Sequence, residues 1–150
     1  VSSTSKPNAT GWEVIGPPEC PILYRRELLA TKPLKAMIHR FVANARDHDC
    51  HDHPRPFVTL ILRGGYDDVQ PDGTVEILRA PAIRYRPAEH AHITQVHADG
   101  ALTFVVMGPV RRKWGFWRGD QWWPVALYER VFGLSFRCEP PAEDGRDAAS

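Results

Sequence analysis

Asp49-Cys50-His51-Asp52-His53-Pro54-Arg55-Pro56-Phe57-Val58-Thr59-Leu60-Ile61-Leu62-Arg63-Gly64-Gly65-Tyr66 decides how this chain is read. Two histidines one residue apart open an alternating, β-branched run. On a strand, residues i and i+2 share a face, so His51 and His53 can present two imidazoles to a single ion. Histidine is the commonest metal ligand near neutral pH. Continuing along the same face gives Arg55, Phe57, Thr59 and Ile61, whereas Val58, Leu60 and Leu62 face the other way. Both faces are largely apolar, which predicts a strand covered on both sides in a closed or two-sheet β architecture. Gly64-Gly65 then predicts a turn, because glycine takes positive φ without a steric penalty.

Two imidazoles leave an ion under-coordinated, so a third ligand has to come from another part of the chain. His90 and His92 are the candidates. They lie in the Pro-interrupted, β-like stretch Ile83-Arg84-Tyr85-Arg86-Pro87-Ala88-Glu89-His90-Ala91-His92-Ile93-Thr94-Gln95-Val96, and a neighbouring strand can bring either of them to the first pair.

These residues resemble the two motifs of the cupin superfamily. The first motif reads Gly, five residues, HxH, three or four residues, Glu, six residues, Gly. Here His51, His53 and Gly64 occupy those positions, with Phe57 in place of the Glu and Ala45 in place of the first Gly. The second motif reads Gly, five residues, PxG, two residues, His, three residues, Asn. Pro87 and His92 match it, while Pro81, Glu89 and Val96 replace its two glycines and its asparagine. The resemblance implies an all-β, single-domain, cupin-like double-stranded β-helix, or jelly-roll barrel. It also implies a metal held by His51, His53 and His92. His97 would enter the site instead if the second motif were displaced.

The apolar ring of Phe57 at the carboxylate position changes the chemistry implied. Three neutral ligands leave a divalent ion its full charge and leave positions open for substrate. Such a site resembles those of the three-histidine dioxygenases among the cupins. The resemblance implies an oxygen-dependent oxidoreductase using Fe(II) on a small polar molecule. Two other readings stand beside it: an isomerase, lyase or hydrolase using Zn, Ni or Mn as a Lewis acid, and a non-catalytic barrel that binds a small ligand. Arg55, Phe57, Tyr66 and His90 are the candidate substrate-binding residues. An arginine fork matches a carboxylate, and His90 sits one same-face step before His92. Asp47 or Asp49 is the expected carboxylate partner of a ligand histidine, with Asp52 pointing away. His48 and His97 read as surface histidines.

Composition agrees with one globular domain of the 150 residues, 43% of them hydrophobic and 25% charged. A formal charge of +1 gives no reason to expect nucleic acid as a partner. The basic, aromatic segment Arg111-Arg112-Lys113-Trp114 accordingly reads as a charged turn, and Trp114 or Trp117 could wall a pocket. No apolar run is long enough to span a bilayer, and there is no amino-terminal signal pattern. Cys20, Cys50 and Cys138 are an odd number without CxxC spacing, which predicts free thiols and a cytoplasmic protein. Residues 1–10 and 139–150 read as flexible ends around a barrel over 11–138. Strands are predicted at Ile22–Leu29, Lys35–Ala43, Phe57–Leu62, Thr74–Ala80, Ile83–Tyr85, Ile93–Val96, Ala101–Met107, Trp114–Trp117 and Trp123–Tyr128, with a short helix at Tyr128–Phe132. A homodimer is the expected assembly, since pairing covers sheet edges.

Overall fold

The computed structural model describes residues 7–17, 20–45, 49–133 and 138–139. The strands are β1 (Glu13–Ile15), β2 (Leu23–Ala30), β3 (Lys35–Phe41), β4 (Asn44–Ala45), β5 (Cys50–His51) and β6 (Phe57–Val69). They continue as β7 (Val75–Arg79), β8 (Ala82–Arg86), β9 (Ile93–Met107), β10 (Gly115–Arg118) and β11 (Gln121–Pro124). The helix α1 (Val125–Phe132) and β12 (Cys138–Glu139) follow. The main sheet runs β1-β2-β3-β9-β6-β7, with β8 also paired to β6. Smaller sheets join β11-β10-β5 and β12-β4.

The architecture turns on the long antiparallel pair β6 and β9. The first half of β6 pairs with β8 and the second half with β7, so β6 bends and the sheet curls around one interior. Gly64 and Gly100 make the bend possible. Both have positive φ, 66° and 74°. A Cβ on Gly64 would lie 1.9 Å from the carbonyl oxygen of Gly100, and one on Gly100 would lie 2.8 Å from that of Phe41. Only glycine allows backbones this close. The turn predicted at Gly64-Gly65 is therefore a bend inside a continuous strand. The two strands predicted at Ile93–Val96 and Ala101–Met107 are likewise one strand, bent at Gly100.

Alternation along β6 is as the sequence suggests on the inner face, where Phe57, Thr59 and Ile61 are buried. The outer face departs from expectation: Leu60 and Leu62 are 36% and 48% exposed, so within one chain the strand is covered on one side only. Among the described residues the interior holds two apolar clusters. One is Ile61, Tyr66, Leu78, Val96 and Ala101, with Phe41 packed on it. The other is Met37, Phe57 and Val105, with Met107 packed on it.

The predicted strand over Trp123–Tyr128 is replaced after Pro124 by α1. Pro124 has φ −57°, already suited to a helix start. Tyr128, buried on α1, stacks on Phe116 of β10 at 4.3 Å between ring centroids. At the amino end, residues 1–6 lie outside the described residues. The side-chain oxygen of Asn8 accepts hydrogen bonds from the backbone of Thr10 and Trp12, which makes a turn. Of the predicted tail 139–150 only Glu139 is described, paired through its backbone with Asn44.

Cys20 is disulfide-bonded and Cys50 is free and buried. The expectation of three free thiols fails for Cys20, and the argument from reduced thiols to a cytoplasmic location fails with it. Among the described residues, no helix is long and apolar enough to cross a membrane.

Candidate metal centre

His51 and His92 are brought together by backbone pairing. Each donates its N–H to the other's carbonyl at 3.0 Å, which makes a two-residue antiparallel bridge. The proline-flanked chain leaves the strand after His51, yet His53 stays beside it because its N–H donates to the Ala88 carbonyl at 3.1 Å. Between the two histidines, the fully buried Asp52 carboxylate points the other way, as alternation predicts. It accepts hydrogen bonds from the Gly115 N–H at 3.0 Å and the Trp122 indole at 2.8 Å, and pairs with Arg112 at 2.9 Å. Asp52 thereby fastens the histidine segment to β10 and β11. Arg112, from the basic segment noted in the sequence, is used inside the molecule.

The three rings make a near-equilateral triangle, with centroid separations of 5.1, 5.1 and 5.2 Å. One nitrogen from each lies within 4.8 Å of the others. His53 Nε2 and His92 Nε2 face each other at 3.0 Å. Two metal–nitrogen bonds of about 2.1 Å at right angles place their nitrogens about 3.0 Å apart, whereas a tetrahedral angle places them about 3.4 Å apart. The spacing of His53 and His92 would let both nitrogens reach one ion, with His51 as the third ligand.

Protonation also fits. Burial, and secondarily the neighbouring His92, lowers the His51 pKa to about 3. Burial followed by the other histidines pushes His53 well below the usual value. Both rings are therefore neutral near neutral pH, each with a lone pair to give. His92 is held in one tautomer by Asp68, whose carboxylate lies 2.8 Å from His92 Nδ1. An ionised carboxylate only accepts, so Nδ1 carries a proton and Nε2 is the nitrogen turned to the triangle. Burial favours the neutral form of Asp68, but hydrogen bonds from His90 and His92 outweigh it and hold the carboxyl below the usual carboxylate range.

Asp68, His90 and His92 form a second cluster of metal-binding residue types. There, however, the Arg86 guanidinium sits 3.2 Å from Asp68 and pairs onward with Glu76 at 2.5 Å. A fixed positive charge on the carboxylate disfavours a second cation. Asp68 serves the first cluster, as the acceptor that orients His92. The sequence reading looked for this carboxylate at Asp47 or Asp49. Asp47 lies outside the described residues, and Asp49 accepts from the Tyr128 hydroxyl at 2.5 Å. The sequence pattern ends this strand at Leu62, whereas β6 runs on to Val69 and so carries Asp68. Seen as a strand through Gly64-Gly65, the run places Tyr66 and Asp68 on one face.

The triangle opens into a cavity of about 440 Å³ inside the barrel, a volume suited to a small molecule. Arg55, Phe57 and Tyr66 line it, with Trp114, whereas Trp117 does not. Phe57 meets His53 edge-on at 4.8 Å. Arg55 Nη1 donates to the Gly108 carbonyl at 2.8 Å. Burial, and then the Asp68 charge, raises the Tyr66 pKa to about 12, so its phenol stays protonated. His90 is not among the lining residues and is taken up by Asp68 at 2.9 Å. His48 lies outside the described residues. His97, read as a surface histidine, is buried instead and bonded to Asp67 at 2.6 Å, away from the triangle.

No family model and no curated protein matches this sequence. Solved structures do match, and they show the fold. KdgF from a Halomonas species is 17% identical over 67% of this chain and 88% of its own, with a TM-score of 0.53. A conserved protein with a double-stranded β-helix domain from Klebsiella pneumoniae is 18% identical over 71% and 91%, with a TM-score of 0.53. A protein from Ralstonia eutropha proposed to be a mannose-6-phosphate isomerase is 16% identical over 63% and 92%, again with a TM-score of 0.53. The chain has the cupin fold, a double-stranded β-helix, with a candidate three-histidine metal site inside the barrel.

Proposed function

We propose that this cupin-fold protein is a metal-dependent oxidoreductase, an oxygen-dependent dioxygenase that acts on a small polar molecule with Fe(II) held by His51, His53 and His92. The observation that carries the reading is the triangle of imidazoles opening into a cavity within the barrel, with Phe57 where a fourth, anionic ligand would otherwise stand. A divalent transition ion held there would keep its full charge and open coordination positions, and as Fe(II) would supply redox chemistry toward dioxygen.

The chain's own residues do the rest. Asp68 orients His92 through Nδ1, and the Arg86 guanidinium bonds the same carboxylate. Phe57, Met37 and Val105 give the cavity an apolar wall. Arg55 lines the cavity with Nη1 on backbone carbonyls, a cation suited to an anionic group on the substrate. Tyr66, held as a phenol, offers a neutral hydroxyl. His90 acts through Asp68.

A second reading keeps the same ligands with Zn, Ni or Mn as a Lewis acid in an isomerase, lyase or hydrolase. The likeness in fold to a protein proposed to be a mannose-6-phosphate isomerase favours keeping it. A homodimer is part of the proposal. What supports it is the apolar outer face on which Leu60, Leu62, Ile83 and Tyr85 are exposed, since exposed apolar patches of this kind mark association surfaces.

Oxygen uptake separates the two enzyme readings. With Fe(II) loaded anaerobically, a screen of small thiols, β-diketones and hydroxy acids is expected to find at least one compound that drives stoichiometric oxygen consumption. Turnover of a compound without oxygen consumption, equally supported by Zn or Ni, would replace the dioxygenase with the Lewis-acid reading.

A further inference from the structure

The interior carries a polar seam that the metal site does not use. His39 on β3 lies directly opposite Thr103 on β9. One inward step to either side, the same two strands place Met37 opposite Val105 and Phe41 opposite Ala101. Met37 and Val105 belong to one apolar cluster; Ala101, with Phe41 packed on it, belongs to the other. His39 and Thr103 therefore divide an otherwise apolar wall, and both line the cavity that holds the histidine triangle. Their polar atoms, His39 Nε2 and Thr103 Oγ1, are buried and have no hydrogen-bonding partner among the described residues.

Leaving two buried polar atoms unpaired is destabilising, and proteins rarely tolerate it without a reason. An apolar pair at these positions would complete the wall at no such cost. The pair is also chemically selective. Arg25, opposite His39 on β2, has its Nε and Nη2 on one oxygen of Glu13, at 2.9 and 2.8 Å. Burial, and then Arg25, lowers the His39 pKa to about 4, so the ring is uncharged near neutral pH. A neutral imidazole beside a hydroxyl suits an uncharged oxygen function, not an ion.

We propose that His39 and Thr103 form a second pole of the cavity, a specificity-determining subsite that hydrogen-bonds a hydroxyl of a small molecule whose other, anionic end reaches the histidine triangle. The assignment rests on the metal-centre reading for the anionic end only; the subsite itself stands on the unpaired atoms. It narrows the substrate to molecules polar at both ends and apolar between, such as hydroxy acids.

The test uses straight-chain carboxylates of four to six carbons and their terminal-hydroxyl counterparts, titrated calorimetrically into Fe(II)-loaded or Zn-loaded protein whose metal content is counted separately. At the best-fitting length the hydroxyl is expected to strengthen binding by about tenfold or more, because a site built to bond a hydroxyl rejects the analogue that lacks it. Thr103→Val and His39→Leu should each cut that preference to within about twofold while leaving metal content and carboxylate affinity unchanged. Thr103→Val, nearly isosteric, should also melt at or above the wild-type temperature, since it removes an unpaired buried group. Metal-loaded protein with no hydroxyl preference at any length would overturn the subsite, leaving the seam to solvent alone. So would a Thr103→Val protein that melts lower but keeps the preference, because that is the signature of a structural role. A hydroxyl preference in protein that binds no metal would uphold the subsite and overturn the metal centre.

Discussion

Alanine at His92 is expected to weaken metal binding by more than about 100-fold, beyond the 10- to 100-fold typical of losing a residue that only supports a ligand. His92 contributes twice to the triangle. Its Nε2 faces His53 Nε2 at 3.0 Å, and its Nδ1 is the group through which Asp68 sets the tautomer. With the imidazole gone, His51 and His53 remain, and two neutral ligands hold a divalent ion poorly. The fold should survive, because the backbone bridge between residues 51 and 92 does not depend on the side chain and Asp68 keeps His90 and Arg86 as partners. Competitive chelator titration measures the affinity, and circular dichroism checks the fold. A folded His92→Ala protein with wild-type affinity would remove His92 from the ligand set.

The largest loss of stability is expected at Asp52. Its carboxylate is 0% exposed and serves the Gly115 N–H, the Trp122 indole and the Arg112 guanidinium together. Asp52→Ala deprives all three of their acceptor; Arg112 is partly exposed and can turn to water, whereas leaving a buried donor unsatisfied typically costs about 1–3 kcal/mol. Because Asp52 lies between His51 and His53, the same change should loosen the triangle and lower metal affinity. Asp52→Asn keeps one acceptor oxygen without the charge and should fall between the two. Urea denaturation, followed through tryptophan fluorescence, reports the stability. A loss under about 1 kcal/mol in the alanine variant would mean that β10 and β11 do not hold the histidine segment in place.

The parts of the site that were legible in the sequence are those that depend on short spacing. His51 and His53 were readable as a pair because a single intervening residue puts both rings on one side, and this survives even though the chain leaves the strand between them. His92 was reachable only through the resemblance of the second motif, since nothing local distinguishes it from His90. The two differ through Asp68: it takes His90 at Nε2 but His92 at Nδ1, which leaves His92 Nε2 free for the triangle.

What was not legible depends on partners far away in the chain. Gly64 permits a turn or a bend equally well. Its role is set by the close approach of the Gly100 carbonyl, which no local pattern announces. Reading a turn there ended β6 early and hid Asp68. His39 gave no signal either, because a single histidine in an alternating strand ordinarily packs or faces solvent; only the register with β9 sets it opposite Thr103. The helix after Pro124 was obscured by Trp122, Trp123 and Val125, whose strand preference holds for β11 but not beyond the proline. The apolar outer positions Leu60 and Leu62 were read as buried, and within one chain they are exposed.

The central claim is that His51, His53 and His92 hold one metal ion. Its most direct measurement is the metal content of anaerobically purified protein after reconstitution with Fe(II) and removal of excess ion. The account predicts close to one ion per chain, bound through nitrogen ligands visible in its X-ray absorption spectrum. Protein that binds no ion under these conditions, or binds one equally well when all three histidines are replaced, would contradict it.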